Sequence, residues 1–148
     1  MQDHPDRRTF LPLKGTRNEE KRLLDHALEI MRFIGLEGKK DTLAASLPYG
    51  DKRRLEIARA LAVKPKLLLL DEPSAGMNHD EAFNLGELII KIREHGTAVI
   101  VIEHNIAMVM KLSNRVVVLD YGAKIAEGTA EEVQSNPKVI EAYLGKED

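Results

Sequence analysis

The chain has 148 residues, 43% of them apolar, which suffices for one compact domain with one core, or for part of a larger domain. Its 22 basic residues nearly balance its 24 acidic ones, and a net charge of -2 provides no global field to gather nucleic acid or an anionic membrane surface. With no cysteine, disulfides are excluded, and with no stretch resembling a signal peptide or a bilayer span, a cytosolic chain is expected.

In chain order, residues 18–34 place Leu24, Ala27, Leu28, Met31 and Ile34 at helical spacing, and Gly35 follows as a C-terminal cap. A second helix is predicted from about Asp51, with Leu55, Ala58, Leu61 and Ala62 on one side. It stops at Lys64, because Pro65 disfavours helical geometry in the residue before it. The run Leu67 to Leu70 comes next and ends on two carboxylates, Asp71 and Glu72. A third helix is predicted after Asn78, which has capping-box spacing to Glu81, and it ends at Gly96. Ala98 to Ile102 is a second wholly apolar run, ending on Glu103 and His104.

Short runs that are apolar on every side, joined by an amphipathic helix, predict parallel strands buried on both faces with a helical crossover. The fold class is therefore α/β. In such sheets ligands bind beyond the carboxyl ends of the strands, where Asp71, Glu72 and His104 all fall. Further on, residues 115–120 and 123–127 flank Tyr121 and Gly122 as an antiparallel hairpin. Thr129 with Glu132, and Asn136 with Pro137, then mark the starts of two short closing helices. Met108 and Met110, near Val109, are candidates for core packing and carry no assigned role.

Two adjacent carboxylates at a strand's end have a rationale in nucleotide hydrolysis, and an alternative as the start of a solvated loop. In the first case Asp71 holds the Mg²⁺ of a Mg-nucleotide through water, while Glu72 orients and deprotonates the attacking water. Gly50, ahead of a helix, suits an anion facing backbone N–H groups, or a plain helix start. His104 suits a phosphate sensor or a surface turn. Gly76 and Asn78 suit a tight turn and a helix cap. The cluster Lys52, Arg53 and Arg54 has no interleaved aromatics and has Glu56 nearby, which favours a solvated helix face over a nucleic-acid patch.

The order of "SLPYGDKRRLEIARAL" (46–61), "LLLLDEP" (67–73), "SAGMN" (74–78) and "VIEH" (101–104) resembles the nucleotide-binding subunit of ATP-binding cassette (ABC) transporters. The resemblance spans residues 20–145 and implies a partial P-loop NTPase fold: parallel strands with helical crossovers, a helical signature segment and a C-terminal β-hairpin. It implies Asp71 in the Walker B segment as the Mg²⁺ carboxylate, Glu72 as the catalytic base and His104 as the switch histidine. Leu47, Pro48, Tyr49, Gly50 and Asp51 become the signature motif facing the ATP of a partner subunit, and Ser74, Ala75, Gly76, Met77 and Asn78 become the D-loop. Tyr49-Gly50, "SAGMN" and "NPKVIEAYLG" (136–145) are similar to the subgroup serving branched-chain amino acid importers. Lipid-export and urea or amide-type cassettes share much of this pattern.

The implied cofactors are ATP and Mg²⁺. The implied partners are a second ATP-binding subunit in a head-to-tail dimer, transmembrane permease subunits and, indirectly, a substrate-binding protein, with no nucleic acid. The implied location is the cytoplasmic face of the cell membrane. Two departures stand out. Pro48 replaces the usual signature serine, removing a hydroxyl and a backbone donor, so phosphate contacts rest on Gly50 and the helix start. The phosphate-cradling Gly-x-x-x-x-Gly-Lys-Ser/Thr does not occur; "GLEGKKD" (35–41) has the wrong spacing and follows a helix. The glutamine loop of the family is absent as well.

The chain thus reads as the carboxyl-terminal part of one cassette domain, with residues 15–64 as helical and signature segment and 65–148 as the Walker B and closing elements. A fragment, a truncated product and a fold completed by another chain all remain open. Alternatives in function are a non-catalytic module that docks on an intact cassette, and a chromosome-maintenance or DNA-repair ATPase half. The latter lacks support from sustained heptads.

Overall fold

The computed structural model describes residues 14–144, and Gly145 of the closing segment and both ends of the expected domain lie outside them. Helix α1 (Lys14–Phe33) ends in a Schellman arrangement: the Gly35 N–H donates to Arg32 O at 3.1 Å and the Leu36 N–H to Met31 O at 2.8 Å. Gly35 adopts φ 78°, which glycine takes without Cβ cost, and the turn delivers Leu36 into the core. Two single-turn 3₁₀ segments, Glu37–Lys39 and Ala44–Ser46, lead to helix α2 (Tyr49–Leu61).

Helix α2 starts two residues before the predicted Asp51 and ends three before Lys64. Pro48 occupies the N-cap, where its missing N–H costs nothing, and its carbonyl accepts the first helical bond from Lys52 N–H at 3.0 Å. At the other end Lys64 already sits at φ 52°, so the helix has been left behind before Pro65 is reached.

Strand β1 (Leu67–Asp71) pairs in parallel with β2 (Ala98–Ile102), from Leu67 opposite Ala98 to Asp71 opposite Ile102. Helix α3 (His79–Glu94) makes the crossover, and its expected capping box is formed: Asn78 accepts from Glu81 N–H while Glu81 accepts from Asn78 N–H. A helix that periodicity missed, α4 (Ile106–Leu112), follows β2 and is capped by Asn105, whose side chain accepts from Met108 N–H at 3.1 Å. It spans seven residues, too short for a readable helical repeat. Gly86 of α3 lets it approach: a Cβ there would lie 3.4 Å from Leu112 Cδ2.

The hairpin β3 (Val116–Asp120) and β4 (Ala123–Gly128) turns on Tyr121 and Gly122, both at positive φ (44° and 79°), as a type I′ turn requires. Helices α5 (Ala130–Gln134) and α6 (Pro137–Val139) close the chain from the expected caps Thr129 and Asn136.

Two expectations are corrected. The strands are not buried on both faces. Leu68, Leu70, Val99 and Val101 point into the core, whereas Leu69 is 67% exposed and Ile102 62% exposed, with Leu67 and Ile100 beside them. Among the described residues the helices cover only one side of this two-stranded sheet. Nor do the described residues form one core. The main cluster gathers Ile34, Leu36, Ile57, Leu68, Leu85, Ile89, Ile92, Met108 and Leu112, while a second gathers Val116, Ala126, Val133 and Val139 around the hairpin. Helix α4 borders both, sending Met108 and Leu112 one way and Val109 and Met110 the other. No helix among the described residues is long and apolar enough to cross a membrane.

Leu85 is fully buried, so Leu85→Ala is expected to destabilise the purified chain by about 2–5 kcal/mol in urea unfolding. Leu69→Ala, on the bare face, is expected to change stability by less than about 0.5 kcal/mol. Equal losses would show that the sheet is covered on both sides.

Candidate functional site

Strand β1 ends where apolar character gives way to acid, and the parallel ladder continues one residue beyond it: the Glu72 N–H donates to Ile102 O at 2.8 Å. Glu72 itself stands at φ 43°, a left-handed conformation unusual for a side chain of this size. The chain then turns twice, with Ala75 N–H donating to Glu72 O at 3.1 Å and Met77 N–H to Ser74 O at 3.0 Å, and Gly76 at φ 76° completes the second turn. Asn78 ends this connection as the cap of α3.

Strand β2 delivers His104 to the same edge. Its Nδ1 lies 3.4 Å from Glu72 Oε1, with both side chains largely in solvent. The carboxylate and the imidazole, separated by 32 positions, are thus brought together by the register of two strands. Asp71, exposed, is the last residue of β1, directly before Glu72.

Among the described residues no cluster of three or more His, Asp or Glu side chains converges on a point. A self-contained metal cage is therefore not formed. Mg²⁺ in nucleotide sites is held by one or two carboxylates together with substrate phosphates and water, and Asp71 with its exposed carboxylate fits that smaller role.

The segment 47–51 is brought near the 74–78 loop, and among the described residues it makes no hydrogen bond or ion pair to Glu72 or His104. Leu47 is buried, Pro48 caps the helix, and the Tyr49 hydroxyl donates to Ala75 O at 2.9 Å. The Tyr49 ring lies over Gly76, where a Cβ would sit 3.6 Å from Tyr49 Cε1. Arg53 braces the tyrosine from behind, donating to its hydroxyl at 3.1 Å with the guanidinium 5.3 Å from the ring centroid. Bonds to Glu56 first, and to Tyr49 second, hold the Arg53 guanidinium above its ordinary pKa. Gly50 abuts the Glu81 carboxylate, so a Cβ there would come within 3.2 Å of Glu81 Oε1. Asp51 is ion-paired with Lys39.

One participant, Glu103, and one contact of a residue already singled out, Tyr49, escaped the sequence reading. Glu103 was visible only as a polar residue ending a strand, yet its carboxylate accepts the Ser74 N–H at 2.8 Å. Nothing local in sequence signals a bond across 29 positions. The Tyr49 hydroxyl was likewise hidden, because Ala75 accepts it through a backbone carbonyl, which has no sequence signature.

A family model described as "ABC transporter" matches residues 4–75, and one described as "Branched-chain amino acid ATP-binding cassette transporter" matches residues 123–148. The chain is 44% identical over 138 residues to the high-affinity branched-chain amino acid transport ATP-binding protein LivG of Salmonella typhimurium, covering 93% of this chain and 54% of LivG. It is 42% identical to BraF of Pseudomonas aeruginosa, described in the same words, over 88% of this chain and 51% of BraF. A solved ATP-binding cassette of an ABC transporter, in its ADP conformation, superposes with a TM-score of 0.77 at 31% identity, over 84% of this chain and 51% of that one. The chain thus spans about half the length of the relatives it matches.

Removing the tyrosine hydroxyl should release the loop without disturbing the ring's packing on Gly76. Tyr49→Phe removes both the bond to Ala75 O and the bond from Arg53, and is expected to cost the chain about 1–3 kcal/mol in urea unfolding, the usual worth of two hydrogen bonds. An unchanged midpoint would show that the Tyr49–Ala75 bond does not hold the loop.

Proposed function

Since the chain belongs to the ABC transporter ATP-binding family, in its branched-chain amino acid subgroup, we propose that it supplies the water-activating part of an importer's ATP-hydrolysing subunit. The observation that carries this reading is the meeting of Glu72 and His104 at the carboxyl edge of a parallel strand pair. Residues 15–64 form the helical and signature segment of the domain, and 65–148 the Walker B and closing segment. The transported substrates are branched-chain or related amino acids. The subunit works at the cytoplasmic face of the membrane, as a head-to-tail pair of ATP-binding subunits beneath transmembrane permeases.

Mg-ATP, when bound, supplies the phosphorus to be attacked and the charge that screens its oxygens. Asp71 would hold the cation with its carboxylate. Glu72 orients the attacking water and takes its proton onto a carboxylate oxygen. His104 stands beside Glu72 Oε1, where it steadies the carboxylate and donates toward the terminal phosphate. Gly50 and the first turn of α2 face the nucleotide of the partner subunit, and residues 74–78 make a contact across the subunit boundary.

In a complete subunit, Glu72→Gln is expected to retain ATP binding and slow turnover by about 10²–10⁴, the loss typical of a general base. Turnover near normal would assign the base elsewhere. His104→Ala should impair hydrolysis more than nucleotide binding; a loss of folding instead would make this histidine structural.

Most of the binding energy for a triphosphate comes from the convergent N–H groups and lysine of a P-loop, and no Gly-x-x-x-x-Gly-Lys-Ser/Thr occurs among the 148 residues. The purified chain alone is therefore expected neither to bind Mg-ATP tightly in calorimetric titration nor to release phosphate. Micromolar binding would reveal a phosphate site elsewhere in these residues.

A further inference from the structure

The connections after β1 and β2 carry the two side chains that meet at the strand edge, and one carboxylate ties those connections together. Glu103, half-buried, accepts the Ser74 N–H on Oε1 at 2.8 Å and the Asn105 N–H on Oε2 at 3.4 Å. Ser74 lies two residues after Glu72, is buried, and opens the turn closed by Met77. Asn105 directly follows His104 and caps α4. The single carboxylate therefore holds both loops, two residues after Glu72 and one residue after His104.

We propose that Glu103 is a positioning residue for the reaction, setting the approach of the Glu72 carboxylate to the His104 imidazole by holding the Ser74 and Asn105 backbones on its two oxygens. This inference rests on the reading of Glu72 as the base. Glu72 needs such support. Its own side chain is solvated, its backbone is in the strained left-handed region, and its N–H anchor to Ile102 O fixes the backbone on one side only. The second fixed point is Ser74. With the Glu103 oxygens removed, the 74–78 turn keeps its internal bonds and its Tyr49 contact but loses its tether to β2. The carboxylate and the imidazole then drift relative to one another, and misplacement of about 1 Å at a reacting group costs on the order of 10²-fold in rate.

The chain itself gives the first readout. Amide hydrogen exchange at Ser74 and Asn105 should accelerate about tenfold or more in Glu103→Ala, as expected when a bond to a charged acceptor is lost. In Glu103→Gln the remaining carbonyl oxygen keeps Ser74 protected, while Asn105, now facing an amide group, loses protection. The second readout is turnover in the complete subunit. Glu103→Ala should lower kcat by about 10–100-fold with KM for ATP within about twofold, and Glu103→Gln should restore most of it. Unchanged exchange at Ser74, or a normal kcat in Glu103→Ala, would overturn the proposal. A parallel Glu72→Gln measurement separates the two layers. If that variant turns over normally, the reading of Glu72 fails; if it is slow while Glu103→Ala is normal, only the positioning role falls.

Discussion

The parallel register of β1 and β2 is the constraint on which the candidate site depends. With Asp71 opposite Ile102, and the Glu72 N–H bonded to Ile102 O, the residues just beyond each strand have one relative position, and it puts Glu72 beside His104. A slip of one residue would turn Leu67, Leu69 and Asp71 inward in place of Leu68 and Leu70; the leucines are interchangeable, so the cost of an inward Asp71 carboxylate, together with the end bonds from Glu72 N–H to Ile102 O and from Ala98 N–H to Lys66 O, opposes the slip. The site is stabilised from beneath, by apolar packing on α3, and not by contacts among its own exposed charges. Surface pairs of that kind contribute little by themselves.

Above that frame the loop 74–78 is held from two directions. The Tyr49 hydroxyl reaches it from α2 and Glu103 reaches it from β2, so the helical segment, the β1 connection and the β2 connection form one connected polar network. Under the proposed function, this network joins the face assigned to a partner's nucleotide, on α2, to the face assigned to the subunit's own, beyond β1. Each bond in it ends on backbone, which makes the link a matter of position and not of side-chain identity at residues 74 and 75.

Most of the elements were legible because their local chemistry is explicit. The Asn78–Glu81 box, the Gly35 cap and the Thr129 cap each satisfy orphan backbone groups within five residues, and Tyr121–Gly122 takes the positive φ its turn needs. The gathering of Asp71, Glu72 and His104 at one edge was legible too, since parallel strands bring their ends together. What escaped depends on distance along the chain. Helix α4 is too short to show a period, Glu103 acts across 29 positions, and Tyr49 acts on a carbonyl. The full burial expected of β1 and β2 failed for a related reason: an apolar run shows that a strand can be buried on both sides, not that both covering layers stand among the residues described. The solved cassette that this chain superposes on is about twice its aligned length, and Leu69 and Ile102 present the uncovered side.

The central claim is that Glu72 and His104 act as one unit created by strand register. A double-mutant cycle on turnover in a complete subunit tests it most directly, comparing Glu72→Gln, His104→Ala and the combination. Residues acting as a unit are non-additive, so the double variant is predicted to be no slower than the slower single variant. Losses that multiply in the double variant would mean that the two groups work independently, and that their 3.4 Å approach carries no function.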